Sequence, residues 1–499
     1  MSGHELLIDA PNPSLLGATA MLSVEQILAL LPDATLIAGS ALDDVSDVVI
    51  DSRLVETGSL FCCVSGTQLD GHDFAATALS MGARGLLTEH DTGTKADVEI
   101  RVPRGHARRA AGLLCAALRG FPSQDLTMVG ITGTNGKTTV AHLVNQIAGQ
   151  LGYDSTMIGT LTGARTTPAA PELQRQLASI RDHARDAGEP GLVAMEVSSH
   201  ALDQERVAGI VFDVAVFTNL TQDHLDYHGT MEAYFEAKAK LFQREVSRRA
   251  VVWNETQAGQ DIIASRGGET IAVNWQTAKN LAFDAAGTSF TWREMSVATQ
   301  LVGRTTLIDL LLAIETCVCL DMSPERIARV IPSLTPAPGR MQVLRGPIGT
   351  PTVIVDYAHT PDALEQLLGD LRGTLSNEGR LHLVFGCGGD RDSTKRPIMG
   401  AIASRLADDV IVTSDNPRSE DPASIIADVV AGTETAVATM EDRASAIRSA
   451  IAQAGRHDLV VIAGKGHETT QEIAGATLPF DDAIVARAAL TGAIGESAC

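Results

Sequence analysis

Lys137, Thr138 and Thr139 close a ten-residue run, Gly130-Ile-Thr-Gly-Thr-Asn-Gly-Lys-Thr-Thr139, with glycines at 130, 133 and 136. Glycine lets neighbouring backbone N–H groups converge on one anion, because no Cβ blocks the approach. Lys137 offers a cation for the β- and γ-phosphates of a nucleotide, and the Thr138 hydroxyl offers a ligand for Mg²⁺. Such a run binds phosphate where it follows a strand and opens a helix. It departs from the general pattern GxxxxGK[ST] at one place, since the first glycine would fall at Ile131.

Other residue types suit the chemistry of anions and metals. Glu196 ends an apolar run, where a metal-binding acid would face a crevice. His224 follows in a loop after the next apolar run. His224 and His228 stand at i, i+4, which raises zinc as a rival to magnesium, but no HExxH order or thiolate accompanies them. The plain alternative for either histidine is a packed loop residue. Arg391 and Arg418 carry forks that match a carboxylate bidentately. The alternative for Arg418 is a surface arginine capping a helix near Asp421. Lys238, in Glu236-Ala-Lys-Ala-Lys240, reads by pattern alone as an ordinary exposed helix lysine.

The elements that must position these residues are legible in the hydrophobic pattern. Residues 126–131 read as a strand, 132–136 as a turn and 137–151 as a helix. Buried strands are predicted at 192–196, 211–217 and 249–253. A second series, at 352–356, 381–385, 409–413 and 459–462, follows Pro338-Gly339-Arg340. Alternation of apolar strands with helical patterns predicts mostly parallel α/β sheets. Upstream, 59–64 reads as a strand and 105–119 as a helix. The chain therefore divides into domains at 1–104, 105–338 and 339–499.

Bulk properties narrow the function. The 499 residues carry a formal net charge of −22, which excludes general attraction to nucleic acid or an anionic membrane. Anions must instead be gripped by local devices. No apolar run is long enough to span a bilayer, and Glu5 and Asp9 interrupt any signal-peptide pattern. The seven cysteines form no CxxC pair and no framework, which predicts reduced thiols in the cytoplasm.

The GTNGKTT string resembles the Mur ligase family of bacterial peptidoglycan synthesis. Co-linear strings extend the resemblance from near residue 45 to the end: Asp51-Ser-Arg53, Glu196-Val-Ser-Ser-His200, Thr218-Asn-Leu220, Asp223-His-Leu-Asp-Tyr-His228, Asp356-Tyr-Ala-His-Thr-Pro361, Gly386-Cys-Gly-Gly-Asp-Arg391, Asp415-Asn-Pro-Arg418 and Gly464-Lys-Gly-His-Glu468. The resemblance implies a small UDP-binding α/β domain, a central phosphate-loop ATPase domain and a Rossmann-like C-terminal domain. It implies ATP-dependent addition of meso-diaminopimelate to UDP-N-acetylmuramoyl-L-alanyl-D-glutamate through an acyl phosphate, by a monomer.

The implied roles attach to matching positions. ATP lies on Gly133, Thr134, Asn135, Gly136, Lys137, Thr138 and Thr139, with Arg340 and Asp356 engaging it once the last domain swings in. His359 stands close behind them. Magnesium is held by Thr138, Glu196, His224 and a CO₂-carbamylated Lys238, Lys240 being the less suited bearer. Ser52, Thr67, Gln68 and Leu69 match the uridine-diphosphate region. Thr166, Thr167, Ser198, Gln204 and Arg206 match the sugar–peptide region. Arg391, Asp415, Asn416, Pro417, Arg418, Gly464 and Glu468 match the amino-acid region. An arginine at 418 favours diaminopimelate over L-lysine, which lacks the distal carboxylate.

Two positions depart from the family. Its pattern near adenine resembles GRFNxxN, whereas this chain has Gly303-Arg-Thr-Thr-Leu-Ile-Asp309, with Thr306 and Asp309 in place of amides. An ionised Asp lacks the NH₂ donor of Asn. That departure motivates a rival reading, a nucleotide-binding regulatory protein without catalysis. A folylpolyglutamate-synthase-like ligase is a third reading, opposed by the DSR and DNPR strings. Residues 1–24 match nothing and read as an extension.

Overall fold

Valine and isoleucine dominate the chain's apolar runs, and in strands such residues bury alternate faces. The computed structural model shows this clearly in the segment Thr352–Asp356. Val353 and Val355 pack into one core with Val460, Ile462, Ala446 and Leu490, while Ile354 points into another with Leu383, Phe385, Leu364 and Met399. The structure describes residues 21–40, 43–66, 69–266, 268, 270–284, 287–375 and 378–492.

The chain divides into two units. One comprises the residues up to Gly133 with Ala148–Thr218 and His224–Ala272; the other comprises Thr134–Ile147, Asn219–Asp223 and Val273 onward.

The first unit holds a five-stranded sheet in the order Thr35–Ala38, Val98–Arg101, Gly85–Thr88, Ser59–Cys62, Asp47–Val49. Its first pair is antiparallel and the rest are parallel. The helix Ala107–Leu118 covers one face, through Ala110, Leu114 and Leu118. The adjacent Cys62 and Cys63 enter cores on opposite faces, as period-two geometry requires.

A six-stranded sheet follows in the order Thr270–Val273, Ser247–Trp253, Phe212–Phe217, Thr127–Thr132, Gly191–Glu196, Asp154–Ile158. The pairs among the last five strands are parallel. Strand order reverses beside Thr127–Thr132, so the carboxyl ends of these strands open the crevice where α/β sheets bind ligands. The register sets Glu196 opposite Ile131 and Phe217 opposite Thr132, at that end.

The second unit holds a six-stranded sheet in the order Gln342–Arg345, Thr352–Asp356, Leu459–Ala463, Leu381–Phe385, Asp409–Val412, Ala438–Thr439. It is parallel apart from its first pair. A three-stranded antiparallel sheet, Lys279–Asp284, Gly287–Trp292 and Met295–Thr299, and a hairpin, Thr470–Ile473 with Ala476–Pro479, complete it.

The predicted strands and helices of both series are present with ends shifted by at most two residues, the helix after the phosphate loop running Lys137–Gln150. The antiparallel elements at 279–299 and 470–479 escaped the sequence reading. Their exposed faces are polar and their strands short, so they lack the apolar runs that mark buried parallel strands. Among the described residues, six cysteines are buried and free, and no helix is long and apolar enough to cross a membrane.

Candidate active site

The phosphate-loop run sits where its chemistry requires, between the strand Thr127–Thr132 and the helix starting at Lys137. Gly133 (φ +151°) and Gly136 (φ +84°) occupy backbone regions that side chains rarely adopt. Thr134 N donates to Asn219 O (3.0 Å), and Asn135 N donates to Asn219 Oδ1 (2.9 Å). Thr221 N donates to Thr134 Oγ1 (3.0 Å). Asn219 therefore latches the loop. It stands in one of the quoted strings, yet its partner is 84 positions away and nothing local announces the contact. Lys137 Nζ folds back onto Thr134 O (2.8 Å).

Glu196 is buried at its strand end. Its Oε1 accepts from Thr160 N (2.9 Å), and Thr160 Oγ1 donates to Oε2 (3.3 Å). Thr167 Oγ1 donates to the Glu196 carbonyl (2.9 Å). His224 has a left-handed backbone (φ +53°) and heads the short helix Leu225–His228. Its ring lies 4.9 Å from that of His200 and 6.1 Å from that of Tyr234. His200 is held down at a pKa of about 4 by burial and by the neighbouring His224 and His228. His228 Nε2 is 2.9 Å from Ser199 Oγ.

Among the described residues, the His/Cys/carboxylate group at ligand spacing is Asp70, His72 and His90, not His224 and His228. Even there His72 is committed, because its Nε2 accepts from Glu89 N (2.9 Å) and its Nδ1 faces Asp70 Oδ1 (2.6 Å). Magnesium makes smaller demands, keeping several waters beside one or two protein ligands. The buried Glu196 carboxylate and the His224 imidazole suit it as donors.

Lys238 corrects the exposed-lysine reading. It is 1% exposed, its Nζ donates to Gly133 O (2.7 Å), and its ammonium lies 4.4 Å from the Tyr234 ring centre. Lys240, by contrast, pairs with Asp203 (3.1 Å).

In the first unit a cavity of about 790 Å³ is lined by Ser52, Leu69, Arg53, Arg165 and Arg175 among others. Thr67 and Gln68 lie outside the described residues. Nearby, Arg206 donates to Thr167 O (2.9 Å) and to Gln204 Oε1 (2.7 Å). Gln204 Nε2 reaches Tyr227 (3.2 Å). Burial, Arg165 and Arg108 together lower the pKa of Arg206, so three cations crowd a place that an anion would relieve. Ser198 caps its helix through Ala201 N (3.2 Å), and Thr166 faces Thr160 (3.2 Å).

At the carboxyl edge of the last sheet, Asp356 accepts from Met341 N (2.7 Å) and Ala358 N (2.8 Å), and burial raises its pKa. Its oxygens thus hold the turn that carries Arg340, whose guanidinium stacks 4.4 Å above the Tyr357 ring. A Cβ on Gly339 would fall on the backbone of Gly466 and His467, so glycine is required where these loops meet.

The strings at 386–391, 415–418 and 464–468 come together. Asn416 Nδ2 donates to Glu468 Oε2 (2.8 Å), and Asn416 Oδ1 accepts from Glu472 N (3.0 Å). Arg418 (φ +54°) is pinned by Arg418 N to Glu472 O (3.0 Å) and Ala474 N to Arg418 O (2.7 Å). Its Nη1 donates to Gly389 O (2.6 Å) and its Nε lies 3.5 Å from Glu472. Asp421 caps its own helix through Ser424, so Arg418 is not a helix cap. A Cβ on Gly388 would lie 3.0 Å from Arg418 Nη1 and 3.9 Å from Arg391 Cγ. Pro417 O accepts from Glu420 N (3.0 Å). Gly464 (φ +116°) passes directly over the Asp415 carboxyl, whose pKa burial raises.

Two residues here escaped the sequence reading. Lys465 is fully buried, with Nζ 3.0 Å from both Asn416 Oδ1 and Glu468 Oε2. Arg443 is also fully buried and grips Asp482 bidentately at 2.7 and 2.8 Å.

Comparison with known proteins matches three Mur ligase domain families along the chain. The Mur ligase family catalytic domain matches residues 44–117. The Mur ligase middle domain matches 131–317, and the Mur ligase glutamate ligase domain matches 339–466. A UDP-N-acetylmuramoyl-L-alanyl-D-glutamate–2,6-diaminopimelate ligase of Chromobacterium violaceum is 44% identical over 471 residues, covering 90% of this chain and 94% of that protein. The Xanthomonas campestris pv. campestris (strain 8004) protein of the same name is 45% identical over 491 residues, covering 92% and 96%. A solved structure of a UDP-N-acetylmuramoyl-L-alanyl-D-glutamate–2,6-diaminopimelate ligase superposes with a TM-score of 0.68 at 34% identity, covering 94% of this chain and 99% of that one. With three α/β domains matched in series and near-full-length relatives, this chain belongs to the Mur ligase family.

Proposed function

We propose that this chain is an ATP-dependent ligase that joins meso-diaminopimelate to UDP-N-acetylmuramoyl-L-alanyl-D-glutamate in the cytoplasmic stage of peptidoglycan synthesis. The observation that carries it is the polar cluster in which Glu472 joins Arg418 to Asn416 and Asn416 joins Glu468, in a chain with a glycine-rich phosphate loop. The near-full-length relatives bear the same activity in their names. Buried free thiols suit a reducing compartment.

A carboxylate does not acylate an amine unaided, because oxide is a poor leaving group. In the proposed reaction an acceptor carboxylate oxygen attacks the γ-phosphorus and ADP leaves. The amine of diaminopimelate then attacks the acyl carbon, phosphate leaves, and the nitrogen gives up a proton. The backbone of Gly133–Gly136 and the Lys137 ammonium hold the nucleotide phosphates, with Thr139 closing the loop. Arg340 and Asp356 belong to the nucleotide side.

Thr138 is suited to hold magnesium on the nucleotide side; Glu196, His224 and a carbamylated Lys238 are suited to hold it on the acceptor side. When bound, magnesium neutralises the paired anions and the charge developing between them. Lys238 is suited as the carbamate bearer because its Nζ is buried and held against Gly133 O of the phosphate loop.

Ser52, Thr67, Gln68 and Leu69 would take the uridine diphosphate. Thr166, Thr167, Ser198, Gln204 and Arg206 would take the sugar and peptide. Arg391, Asp415, Asn416, Pro417, Arg418, Gly464 and Glu468 would take the incoming amino acid. Arg418 meets a distal carboxylate, and Glu468 meets the distal amine. We place the domain boundaries near 104 and 339, the helix Ala107–Leu118 serving as a connection that also covers the first sheet.

The test is phosphate release with ATP, Mg²⁺ and the UDP-linked acceptor, comparing meso-diaminopimelate with L-lysine. Turnover with diaminopimelate alone is expected. Turnover with lysine would keep the reaction and overturn the specificity; no turnover with either, from folded protein, would favour a binding-only protein.

A further inference from the structure

The helix Arg304–Cys319 carries the two departures from the family pattern, Thr306 and Asp309. They are 4% and 5% exposed. The Asp309 carboxyl is spent on the phosphate loop. A Cβ placed on Gly136 would fall on Asp309 Oδ1, with Cγ and Oδ2 both 3.2 Å away. The Thr139 side chain hydrogen-bonds the same carboxyl. Gly136 lies at φ +84°, a conformation that side chains rarely adopt, so the close approach of Asp309 and the backbone angle both call for glycine here.

The loop is thus held on two sides. Asn219 and Thr221 latch Thr134 and Asn135. Asp309 supports Gly136 and Thr139. Backbone N–H groups bind phosphate well only when already converged, so ordering the loop before the ligand arrives lowers the entropy lost on binding.

We propose that Asp309 is a positioning residue that braces the phosphate loop beneath Gly136 and Thr139, and that it does not read the adenine ring. This rests on the nucleotide-binding part of the proposed function, not on the identity of the amino acid. Burial raises the carboxyl pKa well above the usual range, against the pull of Thr139, Arg340 and Lys137. A neutral acid has the shape of the amide it replaces, with a donor and an acceptor.

The experiment is titration calorimetry of ADP and inosine diphosphate binding to the full chain and its Asp309→Ala, Asp309→Asn and Thr139→Val variants. Thermal unfolding and binding of the UDP-linked acceptor serve as fold controls. Asp309→Ala is expected to weaken both nucleotides by the same factor, about tenfold, with the preference between bases unchanged. Thr139→Val should give a loss of the same kind, and the double variant should be no worse than the poorer single one. Asp309→Asn should restore binding to within about twofold. Loss confined to ADP would show that Asp309 reads the base and overturn the proposal. So would unchanged binding of both nucleotides to Asp309→Ala. Because nothing here depends on turnover, failure of the ligase reading would appear separately, in the phosphate-release assay.

Discussion

Lys238 Nζ lies 2.7 Å from the carbonyl oxygen of Gly133, so a helix lysine is tied to a loop glycine 105 positions earlier in the chain. Burial and this bond fix the amine beside the phosphate loop.

Lys238→Ala should lower kcat by about 10²-fold or more, the scale for removing one group that stabilises a charged transition state. Added short carboxylic acids should restore part of the rate by taking the place of the carbamate. Phosphate release measured with and without acetate checks both points. A fully active Lys238→Ala enzyme would remove the carbamate from the mechanism.

Lys137→Ala should abolish turnover, with kcat down about 10²–10³-fold or more. UDP-acceptor binding and the unfolding midpoint should stay near wild type, because the Lys137 ammonium bonds to Thr134 O within the phosphate loop itself. Retained turnover would contradict the phosphate-loop assignment.

Lys465 holds Asn416 and Glu468 in one orientation from beneath. Replacing it with methionine removes one charged donor from each, leaving Asn416 Oδ1 with Glu472 N and Glu468 Oε2 with Asn416 Nδ2, at a cost of about 1.5–3 kcal/mol, the range for hydrogen bonds to a charged group. Lys465→Met should therefore raise KM for diaminopimelate by about tenfold or more. The KM values for ATP and the UDP-linked acceptor should not move. A uniform rise in all three would mean general damage to the fold.

Arg443 and Asp482 form a fully buried pair, and Arg443 also reaches Ala463 O (3.0 Å) and Ser414 O (3.4 Å) at the strand ends that carry the amino-acid motifs. Arg443→Met should destabilise the protein by about 3–5 kcal/mol, because it strands a buried carboxylate. The double variant Arg443→Met with Asp482→Leu should recover much of that loss. Urea denaturation reads both, and additive losses would argue against the pairing.

His200 gives a pH dependence of stability. Its folded pKa is lowered to about 4 from 6.5 by burial and by His224 and His228. The unfolded chain takes up a proton that the folded chain refuses, so this contribution is whole above the unfolded pKa. It is lost as pH falls from 6.5 toward about 4. The denaturation midpoint should drop across that window, and His200→Gln should flatten the slope. An unchanged slope in the variant would assign the dependence to other groups.

Much of the architecture was legible in the chain itself. Apolar strands buried on both faces, such as 352–356 and 459–462, announce themselves because their central positions are an unbroken run of Val, Ile and Leu. The glycine-rich run at 130–139 announces itself because few backbones need so many glycines before a lysine. The motif strings, read in series, contain many of the polar residues whose contacts are described above within each unit. What the sequence could not carry was the fate of individual charged and polar side chains. Lys238 and Lys465 look like surface lysines, Arg443 like a helix-surface arginine, and Asp309 like a lost amide. Each is buried against a partner far away in the chain: Gly133, Asn416, Asp482 and Gly136. Whether a charge is solvated or buried depends on which distant backbone closes over it, and local pattern holds no record of that closure. The sequence by itself determined the parallel sheets and the phosphate loop, because period and glycine content are local properties. Only the tertiary structure decided that Lys238, Lys465 and Asp309 face inward, because their burial is offset by partners that folding alone brings within reach.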